Sequence, residues 1–193
     1  MTELLLVRHG ESVWNREGRW QGHADPPLTD EGRRQARALA GELAALDPVA
    51  VYSSDLVRAR ETAEIVAAPL GLGVKTTRDL REIDVGEWQG LTWAELESRY
   101  PDGVARHREG IPGWKHGESQ EHLGERVLSA LRQIECEHPE ERVVVVTHGG
   151  PLRTAAALAA GVSPREHRRR DPRLDHCAVV RVAFRDGELR GLD

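Results

Sequence analysis

The stretch Leu4–Asn15, LLLVRHGESVWN, changes character at one point. Leu4 to Val7 is a short, continuous apolar run, which reads as a strand buried on both faces. Arg8, His9 and Gly10 follow at once. A strand ending in a cation and a titratable ring either simply meets solvent there or delivers a reactive side chain to the end of a sheet. What stands after the other strands separates the two readings.

Working outward, VAVYSSD (Val49–Asp55) reads as a second buried strand ending in Ser53, Ser54 and Asp55. VVVVTHGG (Val143–Gly150) is the plainest strand in the chain, and Pro151 is placed to open the helix after it. CAVVRVAF (Cys177–Phe184) is a late strand followed by the turn RDGE. Helices fall between the strands. Thr29 is the expected N-cap of one, with Asp30 and Glu31 in its first turn and Ala36, Leu39, Ala40 and Leu43 on one face. Another runs from about Leu56 to Ala68 and is stopped by Pro69 and Gly71. This alternation predicts an α/β protein, a three-layer α/β/α sandwich with a mostly parallel sheet and helices on both faces. Residues 1–193 read as one domain, with a polar, Pro- and Gly-containing insertion at about 93–121 that covers the substrate.

Composition fits such a domain: 193 residues, 39% hydrophobic and 31% charged. The formal charge of −5 argues against nucleic acid as a partner. The basic run REHRRRDPR, Arg165–Arg173, reads first as a solvated face and second as a contact for an acidic substrate or partner. Cys136 and Cys177 form no CxxC and read as free thiols. There is no charged leader and no run near the ~18 apolar residues of a membrane span, so no membrane is expected as a partner and the location is expected to be cytoplasmic.

Two histidines and two arginines fall at strand exits or just beyond: Arg8 and His9, Arg58 in the helix after the second strand, and His148. In a parallel sheet these groups converge on one rim, where active sites lie. Such a cluster is costly without an anion, and a phosphate dianion matches arginine's fork of donors. Gly149 and Gly150, opening a helix, would add backbone N–H donors. Glu82, in LREIDVGEWQG, stands among Leu80, Ile83, Val85 and Trp88, where a carboxyl is placed to act as proton donor.

Five motifs, LVRHGES.WN, LT..G..QA, SSDL.RA..TA, LREID.GEW.G and VTHGG, occur in order from residue 4 to about residue 154. Together they resemble the histidine phosphatase superfamily, which includes the cofactor-dependent phosphoglycerate mutases and many small phosphatases. The resemblance implies His9 as the nucleophile that becomes phosphohistidine, with Arg8, Arg58 and His148 holding the phosphoryl group. It implies Asn15, Gln21, Gly22 and Gly149 as further phosphate or substrate contacts, and Glu82 as general acid. Arg60, two residues from Arg58 in the helix, points to another face. A hydrogen bond from His9 Nδ1–H to a backbone carbonyl would leave Nε2 free for attack. No metal or cofactor is expected, because the arginines supply the positive charge. A homodimer through an edge strand is common in relatives.

The remaining histidines, among them His23, His107, His122, His138 and His167, read as structural. His116 is a partial exception, because a GES-like stretch borders the substrate in some relatives. Trp20 and Trp114 are expected near the pocket, whereas Trp88 and Trp93 read as packing residues. A metal site is the rival use for two histidines and a glutamate, but no HExxH or HxH spacing occurs. The expected activity is hydrolysis of a small phosphorylated metabolite. The alternatives are a phosphoglycerate mutase and, further off, a non-catalytic phosphate-ligand or protein-binding module. The mutase-type ERHYG stretch after the acid, the arginine pair in the insertion and a long tail are missing, which favours the phosphatase.

Overall fold

The computed structural model describes residues 1–170 and 174–192, without the side chains of 168–170. Six strands form one sheet: β1 (Glu3–Arg8), β2 (Ala50–Ser54), β3 (Val74–Thr77), β4 (Arg142–Thr147), β5 (Val179–Arg185) and β6 (Glu188–Gly191), in the order β3-β2-β4-β1-β5-β6. The β3–β2, β2–β4 and β4–β1 ladders are parallel, and β5 and β6 add antiparallel at one edge. The helices are α1 (Val13–Arg16), α2 (Asp30–Ala44), α3 (Val57–Ala67), α4 (Trp93–Arg99), α5 (Pro101–Arg108), α6 (Gln120–Glu137), α7 (Gly149–Ala159) and α8 (Pro164–Arg170).

Period-2 alternation splits each central strand between two cores. Leu5, Val7, Val51, Val144 and Val146 face Leu39 and Leu43 of α2 and Ala59, Ala63 and Val66 of α3. Leu4, Leu6, Val143 and Val145 face Leu123, Val127 and Leu131 of α6 and Leu152 and Ala155 of α7. The outcome is the three-layer sandwich expected from the alternation. Parallel strands of this kind place their carboxyl ends on one rim, and the chain leaves β1, β2 and β4 there at Arg8, Ser54 and Thr147.

Thr29 caps α2 through Gly32 N–H at 3.0 Å, and Gly32, Ala36, Leu39, Ala40 and Leu43 are its buried face. A Cβ on Gly32 would overlap the Glu11 carbonyl, and one on Gly10 would overlap the Gly32 carbonyl. These two glycines let the loop after His9 lie directly on the start of α2.

Several elements go beyond the sequence reading, among them α1, α6 (Gln120–Glu137) and those that follow. The stretch 93–121 carries α4 and α5, each with a single buried residue, Leu96 and Val104. No apolar stripe marks them, although Thr92 and Glu95 form a capping box. β3 is a four-residue edge strand, VKTT, too short and polar to signal itself. β6 is the return arm of the RDGE hairpin. Of the basic run, Pro164–Arg170 is helical and 171–173 lie outside the described residues. Among the described residues, no helix is long and apolar enough to cross a membrane.

Candidate active site

The rim holds a buried cationic cluster. His9 leaves β1 with 2% of its surface exposed, and its Nδ1 lies 2.6 Å from the Gly10 carbonyl oxygen. A carbonyl only accepts, so Nδ1 carries the hydrogen and Nε2 is the free nitrogen. The loop keeps this geometry because Gly10 N–H donates to Thr62 Oγ1 at 3.1 Å. Burial, and then the charges of Arg58 and Arg8, hold the His9 ring well below its ordinary pKa. It is therefore neutral, as a nucleophile must be.

His148 stands edge-on to His9, with ring centroids 5.1 Å apart. Its Nε2 is 2.8 Å from Ser54 Oγ. Ser54 Oγ also accepts from Leu56 N–H at 3.3 Å, and with its own proton given to His148 Nε2 the ring carries its hydrogen on Nδ1. Burial and the neighbouring Arg58 and His9 keep this ring neutral too.

Arg58, fully buried, points its guanidinium back toward the loop after α1. It donates to the Gly22 carbonyl at 2.9 Å and the Ala24 carbonyl at 2.7 Å. Burial pulls it down to about 10, so it stays charged. Arg8 donates to the Leu174 carbonyl. Among the described residues, the buried nitrogens without a partner include three from this cluster: Arg8 Nε, Arg58 Nε and His148 Nδ1. The oxygens of a phosphoryl group fit them, since buried donors normally have partners.

Glu82 lies in the irregular segment after a 3-10 turn, Arg78–Leu80. Its Oε1 accepts from Ile83 N–H at 2.9 Å and from Gly150 N–H at 3.0 Å. The first turn of α7 thus serves the acid, and Gly150 N–H is not the phosphate donor that the sequence suggested. The carboxyl comes this close because residue 150 has no side chain: a Cβ there would overlap Glu82 Oε1. A Cβ built on Gly149 would lie 3.8 Å from both Arg8 Nε and Glu82 Oε2, so arginine and acid border one space there.

That space is a cavity of about 660 Å³. Asn15 lines it, with Oδ1 held by Ser12 N–H at 3.1 Å and by Ser12 Oγ at 2.9 Å, leaving its amide N–H₂ for a ligand. Gln21 and Gly22 also line it. Gly22 sits at φ +51°, and its carbonyl holds Arg58. The far wall is aromatic. Trp20 and Trp114 face the cavity with His107, whereas Trp88 is fully buried behind them and Trp93 packs at the edge. The His107 ring lies 5.0 Å from Trp20, 5.5 Å from Trp88, 6.1 Å from Trp93 and 6.1 Å from Trp114.

His116 does not reach the site. It is exposed, in a turn at φ +56° that presses on Gly86, and it is not part of the cavity wall. Conversely, Ser54, His23, His107 and His176 belong to the neighbourhood although the sequence did not single them out. His176 stands 6.2 Å from His9, brought there by the antiparallel return of β5 alongside β1. Burial and Arg8 pull it down to about 4. Among the described residues, no group of three or more His, Cys, Asp or Glu is gathered for a metal ion.

A parallel-sheet rim with a neutral histidine between arginines, facing a carboxyl across a cavity, defines a hydrolase of phosphoric monoesters. The chain belongs to the histidine phosphatase superfamily (branch 1), whose profile matches residues 4–192. It is 46% identical over 159 residues to phosphoglycerate mutase-like protein 4 of Arabidopsis thaliana, covering 79% of this chain and 68% of that protein. It is 44% identical over 160 residues to the metal-independent phosphoserine phosphatase of Arabidopsis thaliana, covering 79% of this chain and 66% of that one, just under two thirds of its length. Among solved structures, Bacillus stearothermophilus YhfR superposes with a TM-score of 0.89 at 33% identity, covering 99% of this chain and 95% of its own. Mycobacterial glucosyl-3-phosphoglycerate phosphatase in complex with VO3 gives 0.87 at 29% identity, covering 97% and 95%.

Proposed function

We propose that the chain hydrolyses a small phosphorylated metabolite in two steps through a phosphohistidine at His9. The observation that carries this reading is the Nδ1–Gly10 hydrogen bond of 2.6 Å, which presents the neutral Nε2 beside the three unpartnered donors. In the first step Nε2 attacks phosphorus and the P–O bond to the alcohol breaks. Arg8, Arg58 and His148 stabilise the equatorial oxygens, and Glu82 gives its proton to the leaving oxygen. That proton belongs on Oε2, because Oε1 accepts two N–H groups at 2.9 and 3.0 Å whereas Oε2 takes only the longer, 3.3 Å arm of the Gly150 N–H. In the second step Glu82 takes a proton from water, which attacks phosphorus and releases phosphate and free His9. The reaction draws on no metal.

The leaving group lies against Trp20, Trp114 and His107, and the stretch 93–121 covers it. Relatives support a small substrate: an Entamoeba histolytica phosphoserine phosphatase has been solved with phosphoserine and with 3-phosphoglyceric acid. A specific likeness keeps the mutase in view, since a probable phosphoglycerate mutase of Salmonella paratyphi C is 34% identical over 202 residues. The two readings part on one experiment. With 3-phosphoglycerate and a trace of 2,3-bisphosphoglycerate, the phosphatase gives inorganic phosphate and no rapid formation of 2-phosphoglycerate. Rapid interconversion with little free phosphate overturns it.

A further inference from the structure

The Glu82 carboxyl does not stand on a helix or strand, so something else must fix it. Two N–H groups do so: that of Gly150 at the start of α7, 3.0 Å from Oε1 and 3.3 Å from Oε2, and that of the peptide between Glu82 and Ile83, which is itself held from behind. This peptide's N–H donates to Glu82 Oε1 at 2.9 Å. Its C=O accepts from two side chains: His23 Nε2 at 2.9 Å and an Arg126 terminal nitrogen at 3.0 Å. A peptide unit is planar, so holding its carbonyl fixes the direction of its N–H. Donors on the carbonyl also polarise the unit and strengthen the bond that the N–H makes.

The two donors come from different places. Arg126, on α6, is clamped by the Glu118 carboxylate at 2.6 and 2.7 Å and also donates to the carbonyls of Asp79 and Arg81. It belongs to the scaffold beneath the acid. His23 belongs to the phosphate side. The carbonyls before and after it, Gly22 and Ala24, are the two that Arg58 grips. Ala24 N–H is tied to Gln89 Oε1 at 2.8 Å, so the residues flanking His23 are anchored on both sides of the chain. Because His23 Nε2 meets a carbonyl, it is the donor.

We propose that His23 is a positioning residue that ties the general acid Glu82 to the phosphate-binding arginine Arg58. The inference rests on the reading of Glu82 as the acid. Residues 22–24 form a bridge: Arg58 sets the two flanking carbonyls, His23 sets the 82–83 peptide, and that peptide aims Oε1. The remaining oxygen, Oε2, then faces the space beside Arg8 Nε. His23 touches neither phosphate nor leaving group in this role. Its loss should therefore show only where protonation of the leaving group matters.

The test compares kcat/KM on p-nitrophenyl phosphate, whose leaving group needs little protonation, with that on O-phosphoserine, whose alkoxide needs a great deal. Glu82→Gln should lose on the order of a hundredfold more on the alkyl than on the aryl ester. His23→Ala should follow the same pattern more weakly, with about a fivefold greater loss on the alkyl ester, because Arg126 still holds the carbonyl. His23→Gln, which keeps an N–H donor, should recover most of it. Inhibition by vanadate, which reports the phosphate pocket, should change by less than about twofold in both His23 variants. Equal losses on the two esters in His23→Ala, no recovery in His23→Gln, or vanadate binding weakened in parallel would each overturn the positioning role. If Glu82→Gln itself fails to discriminate between the esters, the acid assignment falls and this inference falls with it. Discrimination by Glu82→Gln without any by His23→Ala removes the inference alone.

Discussion

The two ends of the cavity are held by opposite means. At the phosphate end, His9, Arg58 and His148 are almost wholly buried, and backbone carbonyls or a serine hydroxyl fix each of them. At the end proposed to meet the leaving group, Trp20, His107 and Trp114 are placed mainly by one another's rings and by short helices and turns with few buried residues, with one bond from Trp114 Nε1–H to the Glu118 carbonyl at 3.0 Å. The first end is part of the sheet and its helices; the second is laid over it. The difference teaches where chemistry and selection reside. A phosphoryl group is the same in every ester, so its site can be rigid and embedded in the core. Alcohols differ, and the wall that meets them can change without disturbing the sheet.

The largest expected effect lies at the rigid end. His9→Ala should lower turnover on the order of a thousandfold or more, because the proposed reaction runs through a covalent bond to His9 Nε2. The comparison sharpens the expectation: the loss should be nearly the same for every ester tried. It is measured by phosphate release across a panel of phosphorylated metabolites, together with the absence of an acid-labile, alkali-stable phosphoenzyme. Losses that vary widely from one ester to another would mean that the nucleophile's end also selects, and the division would fail.

A smaller effect is expected at the wall. Trp20 meets Trp88, Trp93, Trp114 and His107 within 6.2 Å and lines the cavity. Trp20→Ala should remove about 1–2 kcal/mol of contact with a bulky leaving group, on the order of tenfold in kcat/KM, appearing mainly in KM. Vanadate inhibition should hold nearly constant. A Trp20→Ala variant that loses vanadate affinity as much as it loses KM would join the two ends into one.

The same division decides what could be read in the sequence. Strand exits were legible: LLLV and VVVV are unmistakable buried runs, and the residues after them must reach the rim of a parallel sheet. Arg8, His9 and His148 followed from that alone. Arg58 and Glu82 stood out by setting, the one just after a strand and the other among apolar neighbours, but the choice of Arg58 over Arg60 leaned on the family resemblance, because the position of a side chain relative to the rim does not follow from periodicity. The wall was half legible. Indoles announce themselves by type, yet His107 sits on a helix with one buried residue, so nothing in its spacing separates it from solvent-facing neighbours. His116, two residues past Trp114, was drawn toward the site by its motif, but the turn at φ +56° sends it outward. His23 meets Glu82 across 59 residues of chain, a contact between two irregular segments that no local pattern encodes.

An effect on stability rather than on catalysis concerns acid, and it too distinguishes the ends. Burial, with Arg58 as the next cause, holds His9 and His148 well below their ordinary value of 6.5. In the unfolded chain both return to about 6.5. Above that value both states are neutral and these rings make no difference. Below it the unfolded chain takes up protons that the folded chain refuses, so stability falls as pH drops from 6.5 toward the folded values. Each of the two rings contributes a slope of up to about 1.4 kcal/mol per pH unit. His176, held at about 4, acts in the same direction between 6.5 and 4, but its partial exposure lets water weaken the effect. Urea midpoints should therefore be level from pH 8 to 7 and decline below 6.5. His176→Asn should make the decline shallower, whereas Trp20→Ala should lower the whole curve without changing its slope. A Trp20 variant that alters the slope would show that the wall tunes the buried histidines, and that the phosphate end is less independent of its cover than its hydrogen bonds imply.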